Sequence, residues 1–190
     1  SSDNGGAGYI DLPEVNAPFR GWKITLFEGG IRVPMFVKWP AKIAPGTRVD
    51  TPVAHIDLLP TLAAASGAAL PSDRVIDGRS LLGAATGTGA IERENDAIFW
   101  QTGDYHVVRA GDWKLQRDGR QKKNWLFNLA SDPTEQTNLA DANPDKVAQL
   151  SALIDAHRAG AVPPLYPPGL VSPILVDKTQ WATPTTEDEY

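Results

Sequence analysis

Four short β-prone runs follow one another between residues 97 and 129: Ala97–Thr102, Tyr105–Ala110, Trp113–Arg117 and Trp125–Leu129. Gly103-Asp104, Gly111-Asp112 and Asp118-Gly119-Arg120 separate them. These are turn signals at hairpin spacing, and runs so closely joined pair with their sequence neighbours, which predicts a four-stranded antiparallel sheet. Asn143 then stands at the cap of a helix with Pro144 in its first position, and Val147, Leu150, Leu153, Ile154 and His157 form a stripe along it. A helix with one apolar stripe has to bury it, so this helix is expected to cover one face of the sheet.

The first half of the chain reads differently. Residues 1–22 are rich in Gly and Pro and read as loop. Val33, Met35, Val37 and Trp39 alternate against Arg32 and Lys38, which predicts a short strand from Ile31 to Trp39, ended by Pro40. Asp57 is the expected N-cap of a helix carrying Pro60 in its first turn, and Gly67 is its expected left-handed terminator. From Ala68 to Glu94 the Gly, Ala and Thr content reads as a long connection. The expected organisation is therefore 1–90, 91–160 for the sheet and its helix, and a Pro-rich tail over 161–190. Leu165, Tyr166, Ile174, Leu175 and Trp181 would anchor that tail as an extended segment, with disorder as the alternative.

Composition excludes some partners. The net charge is −5 with no basic run, which argues against nucleic acid. There is no cysteine, so disulfides are excluded. No apolar stretch approaches the roughly 18 residues that a membrane span needs.

The chemistry concentrates near the N-terminus. Asp3-Asn4-Gly5 offers one charged and one neutral oxygen side by side, a pairing suited to a hard divalent cation as well as to turns. Lys23 opens the block Lys23-Ile24-Thr25-Leu26-Phe27-Glu28-Gly29-Gly30-Ile31-Arg32-Val33-Pro34. Phe36-Val37-Lys38-Trp39-Pro40, Ile43-Ala44-Pro45-Gly46, Ile56-Asp57-Leu58-Leu59-Pro60-Thr61-Leu62, Ile76-Asp77-Gly78-Arg79-Ser80-Leu81, Val108-Arg109-Ala110-Gly111-Asp112-Trp113-Lys114-Leu115 and Leu126-Phe127-Asn128-Leu129-Ala130-Ser131-Asp132-Pro133-Thr134-Glu135-Gln136-Thr137-Asn138-Leu139 follow in order. Over about 140 residues this succession resembles the second half of the sulfatases, arylsulfatase-like enzymes of the alkaline-phosphatase-like superfamily.

The resemblance implies an α/β fold: the C-terminal part of an alkaline-phosphatase-like α/β domain over 1–90, then a small subdomain with the antiparallel sheet and covering helix. It implies Asp3 and Asn4 as ligands of Ca²⁺, with Mg²⁺ as the alternative, and Lys23 as the catalytic cation that contacts sulfate. Ligands of open α/β sheets bind at the carboxyl ends of strands, so the three are expected to face one space there. It further implies a sulfate ester or sulfated sugar as substrate, and it favours a periplasmic or secreted enzyme. Sulfatases use a formylglycine made within a Cys/Ser-x-Pro/Ala-x-Arg motif, and residues 1–190 contain neither that motif nor an Asp-Asp pair. The chain is accordingly expected to be a C-terminal portion that needs the N-terminal half of the same enzyme and is inactive alone.

Other residues have competing readings. Glu28 and Arg32, four apart, suit an ion pair that braces the loop. Arg20 suits either substrate contact or the surface. His106, beside Tyr105 and near Trp100, suits an aromatic rim that selects the substrate's organic part, against an ordinary strand position. His55 could face either way, and His157 falls on the helix stripe. Two other functions compete: a phosphonate or phosphate monoester hydrolase of the same superfamily, and a non-catalytic binding module.

Overall fold

The computed structural model describes residues 1–166 apart from 9, 13, 120, 121 and 164. It divides into two units, Ser1–Met35 together with the chain from Ala97 onward, and Phe36–Asp96.

The first unit is built on β1 (Ala97–Thr102), β2 (Tyr105–Ala110), β3 (Trp113–Asp118) and β4 (Lys123–Asn128), antiparallel and in sequence order. Thr102 pairs with Tyr105 and Ala110 with Trp113, so two-residue turns join the first three strands. Each turn begins with a glycine at positive φ, Gly103 at 55° and Gly111 at 57°, where the twist of a tight hairpin demands it.

Alternation gives this sheet two buried faces. Val108, Leu115 and Leu126 point to one and meet Leu150 and Ile154 of α4 (Pro144–Ala159). The helix stripe expected from the sequence is the one that packs. Asn143 precedes it but does not cap it with its side chain, which donates instead to the Leu139 carbonyl at 3.0 Å. On the opposite face Trp125 and Phe127 pack with Phe27, and Trp22 and Ile24 join them. The segment from residue 20 to 30 is thus the sheet's second cover, and a one-turn helix, α1 (Glu28–Ile31), ends it.

The second unit holds a 3₁₀ turn at His55–Asp57, α2 (Leu58–Ser66), α3 (Leu82–Thr86) and a further 3₁₀ turn at Glu94–Asp96. Gly67 closes α2 at φ 73°, with the Ala68 N–H on the Ala63 carbonyl at 3.0 Å. Asp57 precedes α2 without capping it. Its carboxylate is fully buried and accepts the Ala54 and Arg79 N–H groups, each at 2.8 Å, while pairing with Arg93. A buried carboxylate needs its cation close, and this satisfied pair ties residues 57, 79 and 93 together.

The strand expected over Ile31–Trp39 is not formed. Ile31 ends α1, and residues 32–39 enter no ladder among the described residues. Alternation makes a strand only where a neighbouring chain takes up its backbone groups. Here Phe36 is 86 % exposed, and Leu59 and Leu62 of α2 are also exposed. In the tail, Leu165 and Tyr166 are exposed rather than anchoring. Ile174, Leu175 and Trp181 lie outside the described residues, as does most of 161–190. No helix among the described residues is long and apolar enough to cross a membrane.

Candidate functional site

Lys23 occupies the tip of a four-residue turn, Trp22–Thr25. The Thr25 N–H bonds the Trp22 carbonyl at 2.9 Å, and the Thr25 hydroxyl bonds the same carbonyl at 2.8 Å. Ile24 follows at φ 86°, a conformation that β-branched residues rarely adopt. Its side chain is held in the cluster around Phe27 and Trp125, while Lys23 stays exposed. Packing of one residue thus compels the backbone turn that presents the other.

The Asp3-Asn4-Gly5 triplet is joined to this turn through the backbone. The Gly5 N–H bonds the Gly30 carbonyl at 2.9 Å, and the Lys23 N–H bonds the Gly6 carbonyl at 3.0 Å. A side chain on Gly5 would begin 1.8 Å from the Gly29 oxygen, and one on Gly29 would begin 2.3 Å from the Gly21 oxygen. Three stretches of backbone therefore meet at a separation that only glycine allows. Asn16 completes the seam. Its Oδ1 accepts the Gly6 N–H at 2.6 Å, and its Nδ2 donates to the Gly6 and Gly21 carbonyls at 2.9 and 3.2 Å.

Asp3 is exposed and Asn4 half-buried, and both lie on a bend rather than at the end of a strand. The Asn4 N–H bonds Asp3 Oδ1 at 3.0 Å. One carboxylate and one amide oxygen fit a hard divalent cation, which takes about six to eight oxygens in the case of Ca²⁺. Two residues supply part of that shell. Among the described residues no three His, Cys, Asp or Glu side chains gather. A cavity of about 270 Å³ borders the triplet, lined by Asn4, Asn16, Phe19 and Arg32 among others, with the Arg32 guanidinium 4.6 Å from the Phe19 ring centre.

Beneath the turn lies a buried charge cluster. Lys114 of β3 reaches Glu28 Oε1 and Glu135 Oε1, each at 2.9 Å. Glu135 also accepts the Glu28 N–H at 2.5 Å and Gln116 Nε2 at 3.2 Å, and its carbonyl accepts Arg20 Nη1 at 3.1 Å. Burial pushes the Glu28 carboxyl up, but the Lys114 ammonium, helped by Arg109 and Arg32, holds it below the usual carboxylate range. In Glu135 burial prevails over Lys114, the Glu28 charge adds to it, and the carboxyl is raised.

The expected Glu28–Arg32 brace exists, at 3.8 Å, but it is the outer and weaker contact. Arg20 is buried against the Phe27 ring, 4.3 Å from its centre, rather than exposed toward a substrate. His106 is 5 % exposed on the helix-covered face, so it does not stand on an open rim. Its parity with Val108 and Ala110 puts it there. His157 stacks on Phe99 at 4.1 Å, a packing role, and His55 is exposed in the other unit. Sequence reasoning missed Asn16, Lys114 and Glu135. Asn16 carried only a turn-like signal, and the other two lie far along the chain from the residues they hold.

Residues 21–158 match the family model of N-sulphoglucosamine sulphohydrolase, C-terminal. A sulfatase of Formosa agariphila is 34 % identical over 76 % of this chain and 29 % of its own length. An N-acetylgalactosamine-6-sulfatase of Canis lupus familiaris is 44 % identical over 86 % of this chain and 38 % of its own. The crystal structure of Ps i-CgsB in complex with k-i-k-neocarrahexaose superposes with a TM-score of 0.69 at 27 % identity, covering 82 % of this chain and 35 % of that one. The chain thus spans between about three-tenths and two-fifths of these proteins' lengths. Its sheet and covering helix agree with the small C-terminal subdomain of the alkaline-phosphatase-like fold. The chain belongs to the sulfatase family and corresponds to the C-terminal portion of its members.

Proposed function

We propose that this chain supplies the C-terminal share of a sulfatase active site, which hydrolyses a sulfate ester of a sugar or other small alcohol. The reading is carried by the seam that joins the Asp3-Asn4-Gly5 triplet to the Lys23 turn, with the Lys23 N–H on the Gly6 carbonyl at 3.0 Å. Asp3 and Asn4 would hold the cation through one carboxylate and one amide oxygen, Ca²⁺ in the first instance and Mg²⁺ as the alternative. Bound there, the cation would draw charge from the sulfate oxygens and orient the nucleophile. Lys23 would contact sulfate and neutralise charge developing on the transferred group, where a preorganised cation lowers the barrier most. The cleft beside Asn4, with Phe19 and Arg32 in its wall, suits the organic part of a sulfated sugar.

The nucleophile, a formylglycine, and the rest of the metal shell would come from sequence outside residues 1–190. The test uses the 190-residue chain in two measurements. Calorimetry with Ca²⁺ should give an affinity weaker than about millimolar, because water fills most of the shell. An assay with an aryl sulfate and Ca²⁺ should show no turnover. Micromolar Ca²⁺ affinity, or turnover by this chain, would contradict the proposed division of the site. Preference of the complete enzyme for phosphate esters over sulfate esters would contradict the assigned reaction.

A further inference from the structure

We infer that Lys114 is a positioning residue for the candidate site, acting through Glu28 on the backbone seam that carries Asp3, Asn4 and Lys23; the assignment rests on the function proposed above. Lys114 is fully buried on the face of the sheet covered by residues 20–30. Its ammonium is held by two carboxylates, Glu28 and Glu135, at 2.9 Å each. Glu28 begins the turn whose next residue, Gly29, donates its N–H to the Arg20 carbonyl at 2.6 Å, and whose Gly30 carbonyl receives the Gly5 N–H at 2.9 Å. The sheet, formed 70 residues and more downstream, thus fixes the turn, and the turn fixes the triplet.

A buried ion pair is weak ground for a role in stability alone, since apolar residues of similar volume often serve as well or better. What the charges add is direction. An ammonium with three donors and a carboxylate with two acceptors fix one position of the Glu28 backbone, which a contact between apolar side chains does not. Glu135 strengthens this by accepting the Glu28 N–H itself, so the turn is gripped at both side chain and main chain. Lys114 touches neither the proposed cation ligands nor Lys23 in this arrangement. Its effect on them is geometric.

Amide hydrogen exchange on the 190-residue chain tests this without any assay of activity. Two variants are compared with the parent chain: Lys114→Met, which removes the ammonium, and Glu28→Gln, which keeps the shape and one acceptor. The expected result is exchange at Gly5, Lys23 and Gly29 accelerated at least about tenfold more than at the amides of β2, which follow only the overall loss of stability. Unchanged exchange at Gly5 and Lys23 would overturn the inference. So would uniform acceleration at all amides or failure of both variants to fold, since the cluster would then only stabilise the lobe. Failure of the functional reading is separate, because it appears as unimpaired hydrolysis when Lys23 is replaced and leaves the exchange pattern as it is.

Discussion

The Lys114 ammonium lies 2.9 Å from a carboxylate oxygen of Glu28, 86 residues earlier in the chain, and neither side chain is more than 3 % exposed. Removing one member leaves the other charges buried without compensation. Lys114→Ala should therefore cost about 3–5 kcal/mol of stability, as breaking buried ion pairs generally does. Urea unfolding measures this, and a loss below about 1 kcal/mol would mean that water or a neighbouring arginine compensates the two carboxylates.

The opposite face of the sheet rests chiefly on apolar contact, with an Arg117–Asp155 ion pair at 2.6 Å between β3 and α4. Leu150 of α4 is 2 % exposed against Val108, Leu115 and Leu126. Leu150→Ala should cost about 2–5 kcal/mol. A cost below about 0.5 kcal/mol would show that the stripe does not face the core.

Gly5→Ala tests the backbone seam. The added carbon would begin 1.8 Å from the Gly29 oxygen, so the Gly5–Gly30 hydrogen bond has to break or the turn has to shift. Overpacking of this kind costs about 1–3 kcal/mol, and a thermal melt of the variant should show it. An unchanged melting temperature would mean that the triplet is not seated on the turn.

His106 gives the fold a pH dependence of defined sign. Burial and then the Arg158 and Arg117 charges hold its imidazole below the ordinary range, against Asp104 and Asp155. The unfolded chain, with an imidazole near 6.5, then binds the proton more readily than the folded one. Stability from this residue is complete above that value and falls as pH drops through it toward the lower folded value. Urea midpoints should decline between about pH 7.5 and 5.5, and His106→Asn should show a shallower decline. An identical slope in the variant would assign the dependence elsewhere.

The sheet and α4 were legible in the sequence because their signals are local. Gly103 and Gly111 mark turns whose strands are their immediate neighbours, and the Val147 to Ile154 stripe repeats within a single helix. The Ile31–Trp39 alternation misled because a strand depends on a partner, and none pairs with it among the described residues. Asp57 was legible as a polar residue before a helix, but its bonds to Arg79 and Arg93 depend on the path of the chain far beyond it. The candidate site shows the same division. Asp3, Asn4 and Lys23 stand out by residue type, and the glycines between them announce close backbone approach. Glu135 lies 107 residues from Glu28 and Lys114 lies 86 away, so no spacing rule reaches them. His106 needed only the parity of its strand, which Val108 and Ala110 already displayed.

The central claim is that Lys23 is the sulfate-contacting cation of a sulfatase site. Its most direct test is kcat/KM for an aryl sulfate, measured on the sulfatase that contains this chain, for Lys23→Ala beside Lys38→Ala. Both lysines are exposed, so neither substitution disturbs a core. Losing a preorganised charge at the reacting group costs roughly 100- to 1000-fold, and Lys23→Ala should fall by that factor while Lys38→Ala stays within about threefold of the parent. Equal activity in the two variants would contradict the account.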